Sequence, residues 1–207
     1  MRRNWLLALS VLALFALTSG NHLRADEKDG WISMSDGKTF DGWKINENEK
    51  AWKIEDGAFV ANGSRSHLFY VGDGKPFKNF HFEAEVMTKP TSNGGIFFHS
   101  KFQEKDWPKQ GYECQVNNTQ GDPQKTGGLY NTEKVLTAPA KDNVFFKYEI
   151  IVEGQHVVVK IDGKTVVDYK QPEGKAQPAL SEGTFALQAH DPGSTVYYKN
   201  LKVKRLP

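Results

Sequence analysis

Three short segments carry side chains that move protons and hold polar ligands. They are Gly94-Gly95-Ile96-Phe97-Phe98-His99, Gly111-Tyr112-Glu113-Cys114-Gln115-Val116 and Phe185-Ala186-Leu187-Gln188-Ala189-His190. In each, large apolar residues alternate with polar ones at period two. A β-strand sends successive side chains to opposite faces, so His99, Glu113, Gln115, Gln188 and His190 are predicted to leave the core face together. An ordinary solvent face carries Lys, Thr, Ser and Glu. A face of Glu, His and Gln can instead take a proton, return one and bind a ligand rich in hydroxyls. Polar faces also bind sugars without catalysis, so a lectin-like carbohydrate-binding module is the alternative reading. The acid–base complement favours an enzyme.

The elements that must position these residues are strands. Ala51 to Val60 reads as a hairpin turning at Asp56-Gly57, a dipeptide suited to positive φ. In Phe80 to Val86, Phe80, Phe82, Ala84 and Val86 take one face; His81, Glu83 and Glu85 take the other. Val144–Val152, His156–Ile161 and Lys164–Tyr169 form a meander turning at Glu153-Gly154 and Asp162-Gly163, and a last strand covers Thr195 to Lys204. No helical stripe extends beyond a turn or two. The class is all-β: a jelly-roll sandwich of two antiparallel sheets. Phe102–Gln110 and Thr119–Pro139 read as loops over a groove. The first holds Trp107-Pro108, either a sugar-stacking platform or a plug at the core edge. His67, His81 and His156 read as surface or edge residues.

The N-terminus has Arg2 and Arg3, an apolar run from Trp5 to Leu17, and small residues at Thr18, Ser19 and Gly20. That is the pattern of a secretory signal peptide, cleaved after Gly20 or Ala25, and the run is short of the roughly 20 residues of a membrane span. Residues 26–207 then make a single domain, exported to the periplasm or beyond. Removing residues 1–25 takes away three arginines and moves the formal charge from +2 to −1. With lysines scattered among acids, nucleic acid is not the expected partner. Cys114 is the lone cysteine, so no intrachain disulfide forms, and its strand neighbours make it a buried hydrophobe. Phosphate loops, nucleophile elbows and paired-cysteine zinc spacings are missing from the sequence.

Taken in order, Asp36-Gly37-Lys38-Thr39-Phe40-Asp41-Gly42-Trp43, Trp52-Lys53-Ile54-Glu55-Asp56-Gly57, Asn93 to Phe98, Gly111 to Val116, Gly127-Gly128-Leu129-Tyr130 and Leu187-Gln188-Ala189-His190 resemble the 3-keto-disaccharide hydrolase domain family, formerly domain of unknown function 1080. The resemblance runs from about residue 31 to the C-terminus. It implies a bacterial exported protein with a concanavalin A-like jelly roll that cleaves glycosides oxidised at C3. It carries over Glu85, Glu113, Gln115, Tyr130, Gln188 and His190 as site residues. Two positions depart from the family: His99 replaces an Arg, losing a planar five-donor fork, and Tyr198-Lys199-Asn200 stands where Phe-Arg-Asn is usual.

A C3 ketone acidifies the C2 hydrogen, so a base can open an elimination of the C1 substituent, followed by addition of water. Glu113 or His190 is the predicted base, Gln115 or Gln188 the donor to the enolate oxygen, and His99 the acid at the leaving oxygen. The rival is direct hydrolysis between Glu85 and Glu113. Gln115, Gln188, Tyr130, Glu85 and Trp107 would bind substrate. His99, His190 and Glu113 could ligate a metal, but their spacing is not diagnostic and no cofactor is predicted. The ketone would be installed by a separate sugar C3-dehydrogenase, since the chain has no dinucleotide fingerprint.

Overall fold

A computed structural model describes residues 25–26 and 29–207; the expected signal peptide, apart from Ala25, lies outside the described residues. The strands are β1 Ala25–Asp26, β2 Trp31–Ser33, β3 Trp43–Ile45, β4 Trp52–Glu55, β5 Ala58–Ala61, β6 Ser66–Tyr70 and β7 Phe80–Thr88. They continue with β8 Asn93–Ser100, β9 Tyr112–Asn117, β10 Phe146–Glu153, β11 His156–Ile161, β12 Lys164–Lys170, β13 Thr184–Ala189 and β14 Val196–Arg205. A single 3-10 turn, Glu49–Ala51, is the only helical element among the described residues. The predicted hairpin and meander both form. Asp56 and Gly57 take the positive φ values (49° and 77°) that a tight two-residue turn between twisted strands requires.

The strands make two antiparallel sheets, as the period-two patterning predicts. The larger runs β1-β2-β14-β7-β10-β11-β12, with the β4–β5 hairpin joined to β14; the smaller runs β3-β6-β13-β8-β9. The apolar partners of each alternation meet between them: Phe80, Phe82, Ala84 and Val86 from β7, Ile96 and Phe98 from β8, Tyr112, Cys114 and Val116 from β9, Phe185 and Leu187 from β13. Phe82 stacks on Phe185 with ring centroids 4.9 Å apart, which fixes the two inner faces against each other. Each buried Phe, Ile, Leu or Val among them contributes about 1.5–3 kcal/mol of transfer free energy. Cys114 is fully buried and unpaired in a disulfide, as expected.

Two core tyrosines spend their hydroxyls on the backbone of the smaller sheet. Tyr148 Oη donates to the Gln115 carbonyl (3.1 Å) and Tyr198 Oη to that of Gly95 (3.3 Å). Burying a phenol without a partner is costly, so these bonds pin β8 and β9 from below. The outer faces of β8, β9 and β13, side by side in the smaller sheet, form one floor.

Candidate active site

On that outer face lies a cleft of about 350 Å³ lined by Asn93, Phe97, Trp107, Pro108, Glu113, Gln115, Asp122, Tyr130, Gln188 and His190. Six of the eight residues singled out from sequence meet here: Glu113, Gln115, Gln188, His190, Tyr130 and Trp107. Register explains the convergence of three strands. Glu113 lies opposite Phe97, Gln115 opposite Gly95, and Gln188 opposite His67. Gly95 is what lets the carboxylate reach across. A Cβ at that position would sit 2.6 Å from Glu113 Oε1, so the missing side chain is the space the carboxylate occupies. Glu113 Oε1 leans over it and accepts a 2.9 Å bond from Gln188 Nε2.

Electrostatics let the Glu113 carboxyl exchange its proton near neutral pH. It retains some accessible surface at the cleft, but its carboxyl is ringed by protein. Burial pushes its pKa up to about 7; the Gln188 bond opposes this and the Asp122 charge adds to it. Gln115 has its amide oxygen occupied by the Val116 N–H (3.2 Å), which leaves the NH₂ end as a donor. Asn93 lines the cleft with its Oδ1 buried and without a partner. His190 Nδ1 is held by Asp191 Oδ2 at 2.8 Å, and Asp191 is fixed in turn by the Gly193 N–H and the Ser194 hydroxyl. These bonds outweigh the burial of Asp191 and keep its carboxyl below the usual range. The arrangement leaves Nε2 of His190 to a ligand.

Two loops wall the cleft, as expected. Trp107 is 41% exposed at the cleft, while its ring packs 5.3 Å from His190 and edge-on over buried His67 at 5.5 Å. Gln103 ties the loop internally by donating to the Trp107 carbonyl (3.0 Å) and accepting from the Lys109 N–H (3.2 Å). Arg65 anchors it to the sheet, 3.0 Å from both Glu47 and Asp106. The second loop runs alongside β9. Gln115 N–H donates to the Gly128 carbonyl (2.9 Å), Gly127 N–H to that of Gln115 (3.0 Å) and Tyr130 N–H to that of Glu113 (2.9 Å). Tyr130 Oη then donates to Asp122 Oδ2 at 3.2 Å.

Two residues singled out from sequence lie elsewhere. His99 does not face the cleft. It adopts φ 54° where the β8–β13 register slips, so the alternation breaks and the ring swings inward against Phe80 and Phe98. There Nδ1 accepts from the Ser181 N–H (3.1 Å) and Nε2 donates to the Lys78 carbonyl (2.8 Å). Both nitrogens are spent in the neutral tautomer, and burial lowers the pKa. The leaving-group acid cannot be His99. Glu85 does leave its core face, but on β7 of the larger sheet, where Asn200 (2.8 Å) and Lys199 (3.2 Å) hold its carboxyl below the usual range. The sandwich separates it from Glu113, so the two carboxylates cannot flank one glycosidic bond.

Sequence reasoning missed Asn93, Asp122, Asp191 and His67. Asp191 follows directly on His190, a signal available in the chain. His67 read as an edge residue, but the Trp107 loop covers it completely. The metal-ligand set of His99, His190 and Glu113 is not assembled. Among the described residues, His81, Glu83 and Glu149 do gather within 4.8 Å, on the outer face of the other sheet. Lys147 and Lys202 already pair with Glu83 there, at 3.0 and 2.9 Å.

A relative from Bacteroides thetaiotaomicron named 3-keto-disaccharide hydrolase is 38% identical over 81 residues, covering 35% of this chain and 28% of that protein's length. A solved structure of a candidate glycosyl hydrolase from Parabacteroides distasonis superposes with a TM-score of 0.73 at 23% identity, covering 87% of this chain and 96% of that one. The carbohydrate-binding module CBM66 from Bacillus subtilis superposes at 0.56 and 17% identity, over 79% and 95% of the respective chains. At such identities these two structures show a shared sandwich fold. The model of the 3-keto-alpha-glucoside-1,2-lyase-like domain matches residues 30–204, so the chain belongs to that family.

Proposed function

We propose that the cleft cleaves glycosides whose ring carries a ketone at C3, by elimination across C1–C2 and then addition of water. The observation that carries this reading is the buried Glu113, raised to about 7 and aimed over Gly95 into the cleft. A base of that strength is matched to a carbon acid next to a ketone at neutral pH. Glu113 takes the C2 proton, and its electron pair becomes the enolate. The free NH₂ of Gln115 donates to the C3 oxygen as charge gathers there. The enolate re-forms the ketone, the C1–O bond breaks, and protonated His190, oriented by Asp191, gives its Nε2 proton to the departing oxygen. Neutral His190 then accepts a proton from water as the hydroxyl adds at C1, and Glu113, its proton exchanged with water in the open cleft once the leaving group departs, protonates C2. The sum is hydrolysis. The names of the family and of the Bacteroides relative, which point to 3-keto sugars and a 1,2-lyase step, support the same reading.

Trp107 offers an exposed indole face for a sugar ring, and the unpartnered Asn93 Oδ1 accepts a hydroxyl. The chain acts after export, on a substrate oxidised by a separate C3-dehydrogenase. The likeness to CBM66 favours a second reading, a module that binds glycans without cleaving them. Incubating the protein with a 3-keto-glucoside and with its unoxidised parent separates the two. Release of the leaving group from the ketone alone supports the proposal; binding of the parent with cleavage of neither supports the module.

A further inference from the structure

Besides Asn93 Oδ1, three buried polar atoms beside the cleft have no partner among the described residues: both ring nitrogens of His67, and Oε1 of Gln188. His67 has no accessible surface and Gln188 almost none, so neither side chain is satisfied by bulk water. Orphaned buried groups are costly, and two of them here are neighbours. His67 and Gln188 are directly opposed across β6 and β13 and share a face, which brings their Cβ atoms within about 5.5 Å. The other end of the same amide donates to Glu113 Oε1 at 2.9 Å. A ring N–H and an amide oxygen on adjacent strands, not bonded to each other directly, complete one another through one buried water.

Resting on the elimination reading above, we propose that His67 is a positioning residue. Through a buried water bonded to Gln188 Oε1 it holds that amide with its NH₂ toward Glu113, and so sets where the base sits and how readily it ionises. Without that bond the amide can turn its oxygen toward the carboxylate and oppose ionisation. The surroundings keep His67 neutral, as the role requires. Phe69, Phe97 and Trp107 pack its ring, and burial together with the nearby Arg65 and His190 holds its pKa down at about 3. The charged or titratable groups facing the pair are Arg65 just before β6, Asp106 beside Trp107, His190 and Asp191 after β13, and Asp122 with Tyr130 beside Glu113.

The test is the titration of Glu113 followed by carboxyl ¹³C NMR in the wild type, His67→Phe and His67→Gln. Phenylalanine keeps the aromatic packing and loses the donor; glutamine keeps a donor. The expected result is a midpoint raised by about one pH unit in His67→Phe and restored in His67→Gln. On a 3-keto-glucoside, a shift of that size lowers kcat about fivefold relative to wild type at pH 7, with that ratio returning close to one by pH 9 and little change in KM. Identical midpoints in all three proteins, or equal shifts in both variants, overturn the proposal. The titration needs no substrate, so it judges His67 even if no 3-keto-glycoside is turned over, an outcome that would speak only against the elimination reading.

Discussion

Replacing Glu113 by glutamine should stabilise this protein while abolishing its chemistry, and the size of the effect follows from the burial of the carboxyl. The group ionises near 7 in the folded chain against an ordinary 4.5. The folded state therefore binds that proton more tightly than the unfolded one. Below about pH 4.5 both states hold it and the shift costs nothing. Between 4.5 and 7 the unfolded chain ionises first and stability falls; above 7 the loss is constant. At 1.36 kcal/mol per pH unit it amounts to about 3 kcal/mol, an upper figure because the cleft admits water. Glutamine keeps an oxygen for the Gln188 donor and cannot ionise. Thermal unfolding of E113Q and wild type should coincide near pH 4 and separate by roughly 6–12 °C at pH 8, with the variant higher. Turnover of a 3-keto-glucoside by E113Q should drop at least about 100-fold. Parallel stability curves across that range, or a variant less stable at pH 8, would refute the idea that a buried, reluctant carboxylate sits in the cleft.

Gly95→Ala places a methyl where Glu113 Oε1 now lies, so kcat should fall about tenfold or more while the thermal midpoint moves only a few degrees; an unchanged kcat would show that the carboxylate does not need that space. His99→Ala strands the Lys78 carbonyl and the Ser181 N–H, and urea titration should show a loss of about 2–4 kcal/mol with kcat/KM of the folded enzyme kept within a few-fold. Glu85→Gln removes an exposed ion pair on the opposite face and should leave kcat/KM unaltered, with a stability change below about 1 kcal/mol.

Period-two alternation made the sandwich and most of the cleft legible, because a strand's pattern states which residues share a face. Glu113 with Gln115, and Gln188 with His190, came together for that reason alone. The pattern could not say which sheet a face belongs to. Glu85 reads as outward just as Glu113 does, and only the pairing of β7 with β10 and β14 puts it on the far side. Nor does alternation survive a register slip: one residue at positive φ turns His99 from the outer face into the interior. His67 was obscured for a different reason. Its strand is short, and the loop that buries it is fixed by the ion pairs of Arg65 with Glu47 and Asp106, residues far apart in the chain.

Running the reaction in D₂O tests the central claim most directly. If Glu113 removes the C2 hydrogen before the C1–O bond breaks, the oxidised sugar released from a 3-keto-glucoside should carry deuterium at C2 within a single turnover, and the unoxidised parent should remain intact. Cleavage that leaves C2 unlabelled, or cleavage of the parent at a similar rate, would contradict it.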